Sequence, residues 1–457
     1  MEYKIFWCKV NKYYTDEWLN SEYLKDKNGI FVASCVVTDN AKKKWLKFVK
    51  DTAKHITDDK KIYISGCWAF KSWEAQDDFF DIYPELKELK WKIEILWEKP
   101  EELKKEVINS METTEKHSTK PLTWILTPSQ EQGASIKDKI KSIPRIYTKK
   151  FLLIQWWCDS FCTFCLTVIK RWKHYYRDKD DIVNEILEFE KVWWKEVVLT
   201  WVNLSAWWLE NTNPKTPSNS PLSRGEKTIS RFAKLLEHIL KNTSIPRIRI
   251  SSMWPEFIDD KCLEIFKETR IYPHFHYSVQ SWSSTILKSM HRHYDWKYMR
   301  DLLEKTKNIV RSDNVEVSIW ADLIVWFPWE TEQDFNDTYN LVKDWLITKI
   351  HAFPFSPHTT WESVPAWSFP NQIPDNIKKN RMWELEEIWE QIRDEFIERN
   401  IWKEFEVLLE VVKVDEKTGK TIWKWWTQNY IDVDNTNFEI ISWTIKRNEI
   451  IKGKLIK

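Results

Sequence analysis

Glycine is almost absent from this chain, and that limits how the chain can turn. Among 457 residues there are 6 Gly and 32 Trp. A chain of this length ordinarily carries about 32 Gly, at roughly 7% usage. Tight turns and close backbone approaches call for the one residue without a Cβ. Tryptophan stands at several such places. Trp329 lies in Phe327-Pro328-Trp329-Glu330, a turn sequence that wants positive φ after the proline. The pairs Trp156-Trp157, Trp193-Trp194, Trp207-Trp208 and Trp425-Trp426 read as loop or turn positions rather than apolar stripes. The expectation is that most of these tryptophans occupy glycine positions, with a few, such as one of Trp207 and Trp208, genuine. Some bacterial lineages read UGA as glycine, and a translation that assigns it tryptophan yields this composition. The alternative is a truly Trp-rich protein; UGG codons at these positions would establish it. A chain made as written overpacks many turns.

The remaining composition suits folded domains. Apolar residues make up 42% and charged residues 30%, enough for large cores and about two to four domains. Seventy basic against 69 acidic side chains give a net charge of +1. That excludes a uniformly basic nucleic-acid coat but leaves room for a local basic groove. No run of about 18 uncharged apolar residues is present, so no membrane span is expected. The opening MEYKIFWCKV lacks a signal peptide's apolar stretch. A cytoplasmic location follows as the expectation. There the seven cysteines are thiols, metal ligands or catalysts rather than disulfides.

Along the chain, the pattern is α/β. Residues 1–98 hold strand-like runs, Ile30-Phe31-Val32-Ala33 and Ile62-Tyr63-Ile64-Ser65, and helical stretches at 41–53 and 73–80. Residues 99–144 are a polar connector with a helix near 100–110. Residues 145–399 alternate strands (151–155, 196–200, 247–251, 274–279, 315–319, 351–354) with helices (180–191, 228–240, 259–268, 332–344). Six βα repeats suit a parallel, barrel-like sheet. Residues 209–225 form a polar surface insertion, and 375–399 one long charged helix. Residues 400–457 turn to short strands (406–414, 427–433, 438–445), a small β-barrel or sandwich ending in a frayed Lys-rich tail at 452–457.

Six cysteines carry the chemistry. Cys158, Cys162 and Cys165 form a CxxxCxxC motif just past a strand. Cys8, Cys35 and Cys67 are far apart in sequence, yet each follows a strand, and parallel strands bring such ends to one sheet edge. A structural zinc site normally takes four protein ligands. Three thiolates suit a [4Fe–4S] cluster with one iron open to an outside ligand. Zinc completed by a histidine, or simply buried thiols, are the alternatives. Cys262 sits in an apolar helical pattern and reads as a core thiol.

These motifs resemble, nearly end to end, the radical S-adenosylmethionine tRNA methylthiotransferases. Phe6-Trp7-Cys8-Lys9-Val10-Asn11 resembles the family's FGCKVN. Ser34-Cys35-Val36-Val37-Thr38 resembles its TCxVT, and Ser65-Gly66-Cys67 its TGC. Residues 157–165 read as GCDSFCTFC, and 199–205 as LTGVNLS. Residues 274–284 read as HFHYSVQSGSS and 322–330 as DLIVGFPGE, each with Trp taken as Gly. Thr427-Gln428-Asn429-Tyr430 resembles the TxNY of the C-terminal TRAM domain. Lys9-Val10-Asn11 after Cys8 favours the branch acting on threonylcarbamoyladenosine over the isopentenyladenosine branch. His358-Thr359-Thr360-Trp361 departs from the family's Arg-x-Gly-Thr.

The resemblance implies an N-terminal α/β methylthiotransferase domain, a partial (βα)6 radical SAM barrel and a TRAM-like β-barrel. It implies two [4Fe–4S] clusters. One, on Cys158, Cys162 and Cys165, binds S-adenosylmethionine and yields the radical that takes hydrogen from C2 of the adenine. The other, on Cys8, Cys35 and Cys67, holds the inserted sulfur. Asn203, Ser252, Glu256 and Gln280, at or past strand ends, are candidate cofactor contacts, with local capping as the alternative. Trp201, Trp326 and Trp329 stand where glycines would let backbone approach the cofactor. The histidines of Met290-His291-Arg292-His293 suit phosphate or solvent contact. The implied partners are a tRNA anticodon stem-loop, a flavodoxin- or ferredoxin-like electron donor and a sulfur donor. Ten Lys and Arg against two Asp between residues 137 and 177 offer phosphate contacts. The rival functions are the same reaction on isopentenyladenosine, a non-catalytic iron–sulfur RNA-binding protein, and a zinc-dependent one.

Overall fold

The structure, a computed structural model, describes residues 1–6, 9–35, 39–66, 79–96, 147–155, 158, 160–166, 177–201, 231–344, 346–357, 364–414, 419, 421–441 and 445–457. The chain divides into two compact units, 1–146 with 191–193 and 147–190 with 194–457.

The first unit is built on a parallel sheet, β1 (Glu2–Ile5), β2 (Gly29–Ser34), β3 (Lys61–Gly66) and β4 (Ile93–Ile95), in that order. The middle strands read as continuous apolar runs because both faces are covered, with Phe31, Val32, Ile62 and Ile64 buried. The helix expected at 41–53 spans Asp39–His55. Of the helix expected at 73–80, only Phe79 and Phe80 are described, at the start of a short turn of helix, Phe79–Ile82. Ile5 is level with Ala33, and Ala33 with Ser65, so three strand ends share one edge. Gly66 closes β3 at φ +95, where an added Cβ would lie 2.4 Å from the Ser34 carbonyl oxygen. Only glycine fits there.

The second unit contains six parallel strands. They are β5 (Lys150–Gln155), β6 (Glu196–Trp201), β7 (Arg247–Ile250), β8 (His274–Gln280), β9 (Ser318–Val325) and β10 (Lys349–Pro354). Two three-stranded ladders, β5-β6-β7 and β10-β9-β8, are linked by bridges Ile248–Ile271 and Met253–Tyr277. No ladder joins β10 to β5 among the described residues, which suits the partial barrel expected. Side chains alternate. Val197, Leu199, Ile248, Ile250, Phe275, Tyr277, Ala321 and Leu323 enter the apolar core under the helices. Glu196, Arg249, His276 and Asp322, at the intervening positions, face the barrel lumen. Cys262 is in that core, as its pattern required.

The strand expected at 315–319 lies instead at Ser318–Val325. Asp322 in its middle interrupts the apolar run and hides the strand, while Val315 packs on the C-terminal core. The long helix spans Asp375–Glu398. Beyond it, β11 (Glu404–Leu408), β16 (Ile450–Leu455) and β15 (Phe438–Ile440) form one sheet. β12 (Val411–Val414), β13 (Thr421–Trp426) and β14 (Asp432–Asp434) form another. Three expectations are corrected here. Residues 427–430 are a turn rather than strand: the Thr427 hydroxyl accepts from the Ile431 N–H at 2.9 Å, and Tyr430 has φ 64. The tail is not frayed, because Ile451 and Leu455 are fully buried while the lysines between them face out. Trp425 and Trp426 lie in a strand, and Lys149 stacks over both rings.

The C-terminal sheets are tied to the barrel by buried charge. Arg249 Nε donates to Glu196 Oε1 at 2.9 Å, and its guanidinium carbon lies 4.1 Å from the Tyr430 ring. Tyr430 also packs on His274 and Trp320, and Asn429 Nδ2 donates to the Glu316 carbonyl at 3.0 Å. Tyr430 is thus an internal anchor. Lys149, Lys150 and Arg177 are likewise turned inward, onto Trp425, Phe189 and Glu185, so they are not the phosphate contacts expected of them. The other seven basic residues of 137–177, the connector and the 209–225 insertion lie outside the described residues.

Tryptophan behaves in two ways. Trp18, Trp45 and Trp423 are fully buried core residues. Trp193, Trp326, Trp329 and Trp402 have φ of 65, 64, 73 and 68, the left-handed region that glycine adopts freely. Trp329 takes the positive φ that its turn sequence requires. Trp201 is ordinary strand, with Nε1 donating to the Ser252 carbonyl at 2.7 Å.

Candidate cofactor site

The CxxxCxxC loop leaves the end of β5. Three backbone and side-chain bonds fix it: Thr163 Oγ1 donates to the Ser289 carbonyl at 2.8 Å, Thr163 N to Met290 O at 3.3 Å, and Ala366 N to Thr163 O at 2.9 Å. Within it the Cys165 N–H donates to the Cys162 carbonyl at 3.1 Å. Cys158 and Cys162 are buried with Trp254, and Cys165, Phe164 and Phe257 pack against them. The structure therefore brings the three sequence-predicted cysteines into one apolar pocket.

Arg292 stands beside that pocket. It is buried, its guanidinium carbon lies 3.8 Å from the Trp254 ring, and its Nε and one terminal nitrogen have no hydrogen-bond partner among the described residues. Burial pushes the Cys162 thiol up to about 12, with Arg292 opposing, and raises Cys158 further. As bare sulfurs, the buried Cys158 and Cys162 stay neutral thiols. They become thiolates only with a cation bound to them. A buried guanidinium with two open nitrogens beside Cys158 and Cys162 suits a group that would carry thiolate charge. The residues present thus fit an iron–sulfur cluster with three protein ligands.

The polar candidates divide. Glu256 is buried in a short turn, Pro255–Phe257, and acts electrostatically on both Arg292 and Cys162. Ser252 instead reaches His276, Oγ to Nδ1 at 2.9 Å. Gln280 ends β8 with φ 69, buried. Asn203 lies outside the described residues. His291 and His293 are exposed, in keeping with solvent contact, while Arg292 between them turns in. Sequence reading passed over Arg292 in favour of its histidine neighbours; its burial is a tertiary effect with no local signal. Trp326 lies at the end of β9, where its backbone N–H donates to Glu330 Oε2 at 2.7 Å. Glu330 also pairs with Arg381 at 3.0 Å, yet burial raises its pKa to about 7.

In the first unit, Cys35 is buried directly after β2. Asn11 Nδ2 donates to the Ser34 carbonyl at 2.7 Å, tying the helix Lys9–Leu19 to that strand end. Cys8 and Cys67 lie outside the described residues, as do residues 358–361.

Comparison with known proteins bears on this site. Residues 152–342 match the model of the Radical SAM superfamily. Threonylcarbamoyladenosine tRNA methylthiotransferase MtaB of Aquifex aeolicus is 33% identical over 293 residues, 64% of this chain and 63% of that protein. The MtaB protein of Thermotoga maritima is 29% identical over 416 residues, 89% of this chain and 85% of that one. A tRNA-2-methylthio-N(6)-dimethylallyladenosine synthase of Clostridium tetani is 30% identical over 283 residues, 60% and 58%. The matches to the Aquifex and Clostridium proteins thus span less than two thirds of those relatives' length. The Radical SAM family itself implies a [4Fe–4S] cluster and S-adenosylmethionine. Residues 152–342, which take in the buried three-cysteine loop, are thus the part of the chain similar to the radical SAM superfamily.

Proposed function

We propose that this chain is a tRNA methylthiotransferase that places a methylthio group on C2 of N6-threonylcarbamoyladenosine beside the anticodon. The observation that carries the reading is the buried Cys158, Cys162 and Cys165 loop within a chain similar over 89% of its length to a threonylcarbamoyladenosine enzyme. Cys158, Cys162 and Cys165 hold the radical-generating cluster, with Glu256 and Gln280 as candidate contacts to S-adenosylmethionine. Cys8, Cys35 and Cys67 hold a second cluster; the shared edge of β1, β2 and β3 supports that assignment. Asn203 and Ser252 remain candidate contacts in the same reading. When bound, the first cluster and S-adenosylmethionine supply the radical chemistry that an inert aromatic C–H bond requires.

The chain's own residues do the rest. Trp254 and Phe164 exclude water around the sulfurs, Arg292 offsets their charge, and Thr163 holds the loop in register with two other segments. The target base is splayed from its loop to reach the lumen. An electron donor of flavodoxin or ferredoxin type, a sulfur donor and a cytoplasmic location complete the proposal. No helix among the described residues is long and apolar enough to cross a membrane.

The test is anaerobic reconstitution of the full chain with iron, sulfide, S-adenosylmethionine, a reductant and an anticodon stem-loop. The expected products are 5′-deoxyadenosine and a methylthiolated threonylcarbamoyladenosine. Modification of a dimethylallyladenosine stem-loop alone would move the substrate, as the name of the Clostridium relative suggests. No cleavage of S-adenosylmethionine in iron-loaded protein would remove the enzymatic reading.

A further inference from the structure

The lumen holds a second group of ligating side chains that the cysteine sites do not use. His276 on β8, Asp322 on β9 and His351 on β10 occupy neighbouring strands. His351 is level with Asp322 in the ladder, and His276 with Trp320, two residues before Asp322. One nitrogen or oxygen from each lies within 4.8 Å of the other two. His276 Nε2 is 2.8 Å and His351 Nδ1 is 3.5 Å from the same carboxylate oxygen, Asp322 Oδ1.

Two imidazoles and one carboxylate are a nitrogen–oxygen donor set suited to zinc, iron(II) or manganese. Metal bonds of about 2.0–2.2 Å set neighbouring ligand atoms about 3–3.5 Å apart, and the two separations here bracket that spacing closely. The second ring nitrogen of His276 is engaged by Ser252 Oγ at 2.9 Å. Such an outer bond fixes which nitrogen points at the ion. Trp320 walls one side, its ring 6.0 Å from that of His276 and 5.2 Å from that of His351. The exposure of the Asp322 and His351 side chains, 20% and 33%, leaves a way in.

We propose that His276, Asp322 and His351 form a divalent metal site of the zinc or iron(II) class in the barrel lumen, separate from the cysteine sites. Three protein ligands leave at least one coordination position open. That position takes an oxygen or nitrogen from solvent or from a molecule entering the lumen.

Cobalt(II) alone, titrated into the full chain purified anaerobically, tests this without any methylthio transfer. The expected result is one equivalent bound with weak visible bands and no thiolate charge-transfer band. His351→Ala and the near-isosteric Asp322→Asn, each checked for folding by circular dichroism, should weaken binding at least about tenfold, the lower end of what even an outer-shell loss costs. Cys158→Ser should leave it unchanged. No binding, binding that survives both variants, or a spectrum dominated by thiolate charge transfer would overturn the site.

Discussion

The two ends of the barrel use the same kinds of residue to opposite effect. Where the C-terminal sheets meet it, Glu196, Arg249, Lys149 and Tyr430 pair and stack with one another. At the cysteine end, Arg292 is as deeply buried but has nitrogens with no partner among the described residues, beside thiols that burial keeps neutral. Desolvating a guanidinium is unfavourable at both ends. At the junction a carboxylate offsets it. At the cysteine loop Glu256 acts on Arg292 through space, and two guanidinium nitrogens stay open to a bound group. The contrast separates charge that holds the fold from charge that awaits a cofactor.

The largest effect should come at the cysteine end. Cys162→Ala removes one of three ligands, and cleavage of S-adenosylmethionine should fall below about one thousandth of the parent rate, because the cofactor carries the chemistry. Melting of the apo chain should hardly change. Glu196→Ala inverts that pattern. It leaves Arg249 buried without its carboxylate and Lys149 with Glu410 alone, and unfolding by denaturant should show a loss of about 3–5 kcal/mol, with iron content per folded molecule unchanged. An activity loss in Glu196→Ala at full stability would erase the distinction between the ends.

The smaller effects sharpen the comparison. Glu330, beside Trp326 and Arg381, has its pKa raised from 4.5 to about 7 by burial. Its contribution to stability is complete below about 4.5 and is lost as the pH rises through 7. At one pKa unit per roughly 1.4 kcal/mol, that is up to about 3 kcal/mol. Glu330→Gln should flatten stability between pH 4.5 and 7, measured by denaturant titration; an unchanged slope would assign the pH dependence elsewhere. Trp402 is exposed with φ 68. Trp402→Gly should stabilise by about 1 kcal/mol, the left-handed penalty of a residue with a Cβ, and calorimetry would detect it. A loss instead would mark Trp402 as a genuine tryptophan.

Five of the six barrel strands were legible in sequence because their core-facing positions are apolar, from Val197 and Leu199 on β6 to Phe275, Tyr277 and Val279 on β8. The sixth was displaced by Asp322, whose charge faces the lumen and so breaks an apolar-run criterion without breaking the strand. The cysteine loop was legible because its three cysteines are local in sequence. Arg292 and the His276–Asp322–His351 group were not, since each depends on segments far apart in the chain. Trp425 and Trp426 read as a turn because the pair was taken to stand at glycine positions, although Trp itself favours strands; the inward Lys149 that stacks on them is about 275 residues away. The tail was misread because Lys452 and Lys454 mask the alternation of Ile451 and Leu455.

The most direct measurement is the nucleoside profile of tRNA from a bacterium lacking its own methylthiotransferases and carrying this gene, with glycine at positions 193, 326, 329 and 402. Appearance of 2-methylthio-threonylcarbamoyladenosine is the expected result. Unmodified threonylcarbamoyladenosine in cells that contain soluble, iron-loaded protein able to cleave S-adenosylmethionine would contradict it.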